Sequence, residues 1–207
     1  MKKYLKAIFW GLCFIIFTIL VKVIDVEPAG AEGSLIGFAS LNTAVYALLG
    51  KNELCYTITQ KVCIFWAVYL AAYYAITGFL QLIKEKSLLK VDHELLMTGI
   101  IYIIIIILYV LFEKLAINYR PIVTTEGLEP SYPSTHTMLI LTISGASLSI
   151  EKKYFKRPLI TNILSIAIIC LIVVCRLLSG VHWFTDIIGG VLISLCLISL
   201  FKSLVRR

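Results

Sequence analysis

The chain has 207 residues, 60% of them apolar and only 15% charged, with a mean hydropathy of +0.95; soluble domains carry about a quarter charged residues. That composition excludes a water-soluble globular domain. The net charge of +7 does not indicate a nucleic-acid partner either, because the basic residues are dispersed between apolar runs rather than gathered on one polar face.

A membrane-spanning helix needs about 20 apolar residues. The first such run, residues 5–24, is too long for a signal-peptide core and has no small-residue cleavage pattern before Asp25 and Glu27, so a retained first span is expected. Residues 25–60 then form the longest loop. It opens on Pro28-Ala29-Gly30 and Glu32-Gly33 and continues into the mildly apolar segment 34–49. Sixteen such residues are short for a span, so an interfacial or re-entrant helix is expected there, as a cap on any site beneath it.

Further runs of spanning length cover 62–83, 95–112, 159–179 and 183–201. Residues 135–150 are shorter and contain Thr135, His136, Thr137, Thr142 and Ser144. Charge requires that they be counted. With six spans and both termini on one side, one face receives Lys2, Lys3, Lys6, Lys84, Lys86, Lys90, Lys152, Lys153, Lys156, Arg157, Lys202, Arg206 and Arg207, 13 of the 19 basic residues. Under the positive-inside rule that face is cytoplasmic. Omitting the 135–150 span would send the 151–157 cluster outside. The expected fold is therefore all-α: a single polytopic membrane domain, 1–207, of six transmembrane helices with cytoplasmic termini. The polar 135–150 helix should face the bundle interior.

The six cysteines form no CxxC pair and no Cys/His cluster with metal spacing, and most read as small hydrophobes in apolar runs. His93, between Asp92 and Glu94 at the cytoplasmic end of the third span, is assigned no catalytic role. The remaining ionisable groups at membrane depth gather at the external ends of the last four spans, within 114–190. Such groups are costly there and mark a site.

In the last of these segments His182 and Asp186 are four residues apart, so on a helix they share a face. A carboxylate that accepts from one imidazole nitrogen leaves the other free as a nucleophile or base. Taken alone the pair reads first as a structural hydrogen bond; Arg176, returned by the Ser179-Gly180 turn, adds a guanidinium suited to phosphate oxygens and turns the reading toward a site. In the middle segment, Tyr132-Pro133-Ser134-Thr135-His136, Pro133 and Ser134 mark a helix start whose N–H groups suit an anion, and His136 in that turn can donate a proton. The first segment runs from Lys114 to Arg120-Pro121.

These segments resemble the type-2 phosphatidic acid phosphatase superfamily, with its signature KxxxxxxRP, PSGH and SRxxxxxHxxxD. Thr135 stands for the glycine and Cys175 for the serine of that pattern. Lys114 lies one residue too close to Arg120, which turns it by about 100° on a helix; it either reaches the site on its stem or is an ordinary interfacial lysine. The resemblance implies that His182 attacks phosphorus to form a phosphohistidine, Asp186 orients it, and His136 protonates the leaving oxygen. It also implies that Arg120, Arg176, Ser134, Thr135 and Lys114 hold the phosphate. No metal and no other cofactor is expected.

A phosphate pocket at headgroup depth favours a lipid substrate: phosphatidic acid, phosphatidylglycerol phosphate or undecaprenyl diphosphate. Two other readings are weighed. Haloperoxidase chemistry belongs to soluble relatives, and a non-enzymatic lipid-binding or transport module would be expected to lack a nucleophile or an arginine.

Overall fold

A computed structural model describes residues 2–124, 127–156 and 158–205. Arg157, Arg206 and Arg207, counted above in the basic clusters, lie outside them. The described residues form seven α-helices joined by loops, with no strand beyond isolated bridges: α1 (Leu5–Val23), α2 (Ala39–Leu49), α3 (Glu53–Glu85), α4 (His93–Leu115), α5 (Thr135–Tyr154), α6 (Pro158–Leu178) and α7 (Phe184–Val205).

Helix ends follow local chemistry. Asn52 caps α3, its side chain accepting from Cys55 N at 2.9 Å, and α3 continues to a left-handed Lys86. Proline opens α6, where a missing N–H leaves no bond unmade. At the start of α7, Asp186 Oδ2 accepts from Trp183 N at 2.9 Å, half of a capping box.

Five helices are long and apolar enough to cross a membrane by length and composition: α1, α3, α4, α6 and α7. A chain built this way is a multi-pass membrane protein. The apolar part of α5, Thr135–Ile150, is shorter than a span. Its position explains its polarity. Wedged against α3, α4, α6 and α7, it buries Thr137, Thr142, Ser144 and Ser147, and Trp66 Nε1 donates to Ser144 Oγ at 3.1 Å while the Tyr74 and Ser147 hydroxyls meet at 2.7 Å. The hydroxyls of Thr137, Ser144 and Ser147, costly against lipid, are thus satisfied within the bundle, while Thr142 Oγ1 is buried without a partner.

α7 is the central element, packed on α1, α2, α4, α5 and α6. Its start comes close to the segment before α5: a Cβ at Gly190 would lie 2.9 Å from Ser134 O. Ser134 N donates to Asp186 O at 2.9 Å across the same seam. At the opposite end Lys153 pairs with Asp92 and Glu94, both at 3.1 Å, tying α5 to α4. The expected helix within 34–49 is observed as α2, lying on α7.

Candidate active site

The first turn of α7, the first turn of α5, the end of α6 and the loop after α4 converge at one end of the bundle. His182 sits in the tight α6–α7 connection. There Gly180 adopts φ +67°, and an added Cβ would meet Lys51 Cα at 3.0 Å. Asn52 N also donates to Leu178 O at 3.0 Å, so the connection is held from above by the α2–α3 linker.

His182 is 3% exposed, and Arg176 and Asp186 are fully buried. Arg176 Nη2 lies 2.9 Å from His182 Nε2. A guanidinium only donates, so Nε2 carries the lone pair and Nδ1 the hydrogen, which faces Asp186 Oδ2 at 3.4 Å. This tautomer leaves Nε2 as the nucleophilic nitrogen, aimed where a guanidinium already sits. Burial, reinforced by the charge of Arg176, holds the His182 imidazole well below its ordinary value, so it stays neutral and able to attack.

His136 faces the same space from α5. Its Nε2 lies 3.2 Å from Gln60 Oε1, so that nitrogen donates. Nδ1 is buried with no protein partner and is the nitrogen free to carry a transferred proton. Arg120 reaches in from the loop, 3.3 Å from Glu129 Oε2. The Nε atoms of Arg120 and Arg176 are likewise buried and unpartnered. Buried donors left over in this way are what an anion site requires.

Arg120, Thr135, His136 and His182 line a cavity of ≈ 140 Å³, together with Glu113 and Glu129. Tyr109, Phe112 and Glu113 contribute the α4 wall. Down the same seam lies a second hollow of ≈ 280 Å³, lined from α4 by Tyr102, Ile105 and Ile106 and from α5 by Leu139 and Ile143. Steps of three and four residues put 102, 105, 106, 109, 112 and 113 on one face of α4, and 136, 139 and 143 on one face of α5. The apolar hollow, walled also by Ile64, Ala67, Val68 and Ala71 of α3, therefore lies farther along the same faces of α4 and α5 as the polar cavity. From His136 to Ile143 it descends about 10 Å.

Of the sequence-derived set, His136, His182, Asp186, Arg120, Arg176 and Thr135 come together. Ser134 is buried beneath them with its N–H engaged by Asp186 O and its Oγ accepting from Thr137 Oγ1 at 3.0 Å; it ties two segments and does not line the cavity. Lys114 is exposed and does not line it either. Sequence reasoning did not anticipate Gln60, Thr59 (3.4 Å from Arg176 Nη1), Glu113 or Glu129. Thr59 and Gln60 were legible only as polar residues before an apolar run, and the carboxylates only as acids near an expected phosphate site, a sign that discourages their selection.

Residues 109–207 match the family model of the PAP2 superfamily. Among solved structures the chain is similar to the crystal structure of the first transmembrane PAP2 type phosphatidylglycerolphosphate phosphatase from Bacillus subtilis. The match spans 96% of this chain and 94% of that one, with a TM-score of 0.63 at 19% identity, a likeness of fold. No curated protein matches the chain. His136, His182, Asp186, Arg120 and Arg176, singled out from sequence, all fall within residues 109–207, the segment that is similar to the PAP2 superfamily.

Proposed function

We propose that the protein hydrolyses the phosphate of a membrane lipid through a phosphohistidine. The observation that carries this reading is a cavity lined by Arg120, His136 and His182, with Arg176 beside His182, and an apolar hollow farther along the same faces of α4 and α5. A molecule with a phosphate at one end and a hydrocarbon chain at the other fits that sequence of surfaces.

His182 Nε2 attacks phosphorus while the bond from phosphorus to the lipid oxygen breaks, and His136, entering the step as an imidazolium with Nε2 still on Gln60, gives that oxygen its Nδ1 proton. Arg120 and Arg176 take the equatorial oxygens, where charge is spread in the transition state. To do so Arg176 turns its Nη2 from His182 Nε2 to the phosphate, which frees the lone pair. Water then attacks the phosphorus–nitrogen bond, His136 takes its proton, and inorganic phosphate and a lipid alcohol leave. Asp186 holds the Nδ1 hydrogen throughout and balances the charge on the ring.

Glu113 and Glu129 oppose the extra charge of a second phosphate group, which favours a monoester such as phosphatidylglycerol phosphate or phosphatidic acid over undecaprenyl diphosphate. The Bacillus subtilis protein of like fold is described as acting on a monoester of this kind. The topology that suits this chemistry has α5 as a sixth, interior span, cytoplasmic termini and an extracytoplasmic site. The one-sided bias of the basic residues supports it.

The test is phosphate release by the purified protein in detergent from these three lipids, with and without excess EDTA. Wild-type protein should release phosphate equally with chelator, and His182→Ala should release none. Normal turnover by His182→Ala sinks the mechanism, and inhibition by EDTA sinks its metal-free form. A folded wild-type protein that binds the lipids and releases nothing is a binding module.

A further inference from the structure

At the end of the bundle remote from His182 lies a cavity of ≈ 490 Å³ between the start of α1 and the end of α7, lined by Lys2, Lys3, Lys6 and Lys202 with Trp10 and Ser203. It is larger than the ≈ 140 Å³ cavity at the histidines. Lys202 is sixteen residues beyond Asp186 on α7, which separates the two places by about 24 Å.

The positive charge here has no internal counterpart. α1 contains no acidic residue and α7 only Asp186, at its far end. Among the described residues none of the four lysines makes an ion pair, whereas Lys153, from another basic cluster, is held by Asp92 and Glu94. Nor do the lysine side chains join the two helices. That work is done by Ser203 Oγ, which donates to Lys3 O at 2.7 Å, and by Cys196 Sγ, 3.3 Å from Ala7 O. Four ammonium groups therefore surround a hollow they are not needed to build. The start of α1 brings the positive end of its dipole and the end of α7 the negative end of its own, so the charge of the hollow rests on the lysines.

We infer that this cavity binds the headgroup of an anionic phospholipid, a site separate from the catalytic cavity and independent of the reaction proposed above. The lysines take the phosphate oxygens as juxtamembrane basic residues do. Trp10 sits at the depth where indoles favour the interface. Around it α1 turns Leu5, Ile8, Phe9 and Leu12 outward, each more than half exposed, an apolar face along which acyl chains can lie.

The test uses the full chain in detergent micelles supplied with phosphatidylglycerol, phosphatidylcholine or inorganic phosphate, and native mass spectrometry to count what stays bound. Wild-type protein should retain phosphatidylglycerol and not phosphatidylcholine. The variant K2Q/K3Q/K6Q/K202Q should retain it roughly tenfold less, while K84Q/K86Q/K90Q, which removes as dense a basic cluster elsewhere, should match wild type. Phosphate release from a lipid substrate in neutral micelles should be unchanged in both, which verifies the fold. Equal loss in the two variants, retention of phosphatidylcholine to the same degree, or capture of free phosphate in place of lipid each overturns the inference. If the quadruple variant does not fold, K6Q/K202Q carries the same comparison, with about threefold lower retention expected.

Discussion

Replacing Asp186 by asparagine isolates one charge in the site. The carboxylate is fully buried, with Oδ2 3.4 Å from His182 Nδ1. At that separation a full imidazolium and a carboxylate attract by about 5 kcal/mol at an effective dielectric near 20. Since about 1.4 kcal/mol is tenfold in rate, the ceiling on the effect is about 3.5 decades. The ring acquires only part of its charge at the transition state for attack, so Asp186→Asn is expected to lower kcat by about 10²- to 10³-fold. KM should change little, because Arg120 and Arg176 remain. The asparagine oxygen can still accept from Trp183 N, so α7 keeps its first-turn bond and the melting temperature should hold. Rapid-quench measurement with a radiolabelled lipid phosphate would follow the acid-labile phosphoenzyme directly, and its formation should slow in step with kcat. A folded Asp186→Asn protein whose kcat stays within about threefold of wild type would refute the assignment of Asp186 as the group that charges and orients His182.

Glu129→Gln removes the negative charge facing Arg120 while keeping an acceptor for Thr124 Oγ1; kcat/KM for a polyprenyl diphosphate should rise relative to a monoester by about tenfold, and an unchanged ratio counts against the charge argument. Ile106→Trp narrows the apolar groove at an exposed position. It should raise KM about tenfold for a long-chain lipid phosphate and leave a short-chain one alone, so equal effects on both would place the hydrocarbon elsewhere. Lys114→Ala, at an exposed residue off the cavity, should keep kcat/KM within about threefold, and full inactivation would show that the lysine reaches phosphate. The Gln81 amide, joined by Lys153 and Tyr154, holds the Asp92 carboxyl below its ordinary value against the opposing effect of burial. A depressed carboxyl contributes fully to the fold above its unfolded value of about 4 and loses that contribution as pH falls on through its lower folded value. Melting curves of wild type and Asp92→Asn should therefore differ at neutral pH and converge on acidification, and parallel curves would remove Asp92 from the account.

The segments around the cavity were legible because charge inside an apolar run is costly, so Arg120, His136, Arg176, His182 and Asp186 stand out against their neighbours. Their partners were not, because Gln60 and Glu129 reach the site through tertiary folding, with no periodic signal of their own. The limits of apolar runs also understate helices. The apolar run at 62–83 became a helix starting at Glu53, since backbone bonding continues through polar residues until a cap such as Asn52 ends it. Residues 34–49 gave the opposite error, only 39–49 being helical, because the chain before Ala39 is occupied by hydrogen bonds to Glu27, Ile24 and Asn118. Ser134 shows a subtler limit: the motif position was correctly located, but whether its N–H faces a ligand or the carbonyl of Asp186 depends on how closely α7 approaches α5, a distance that no local pattern encodes.

The contact between Gly180 and Lys51 joins stretches about 130 residues apart into one mechanical piece. Their backbones touch where a side chain would otherwise stand, so neither the α2–α3 linker nor the histidine-bearing turn can be lengthened, grafted or stiffened alone. In swapping external loops between such chains, residues 50–52 and 178–182 would have to travel together, and a change in the linker that never touches the cavity would still be felt as a tilt of the His182 ring.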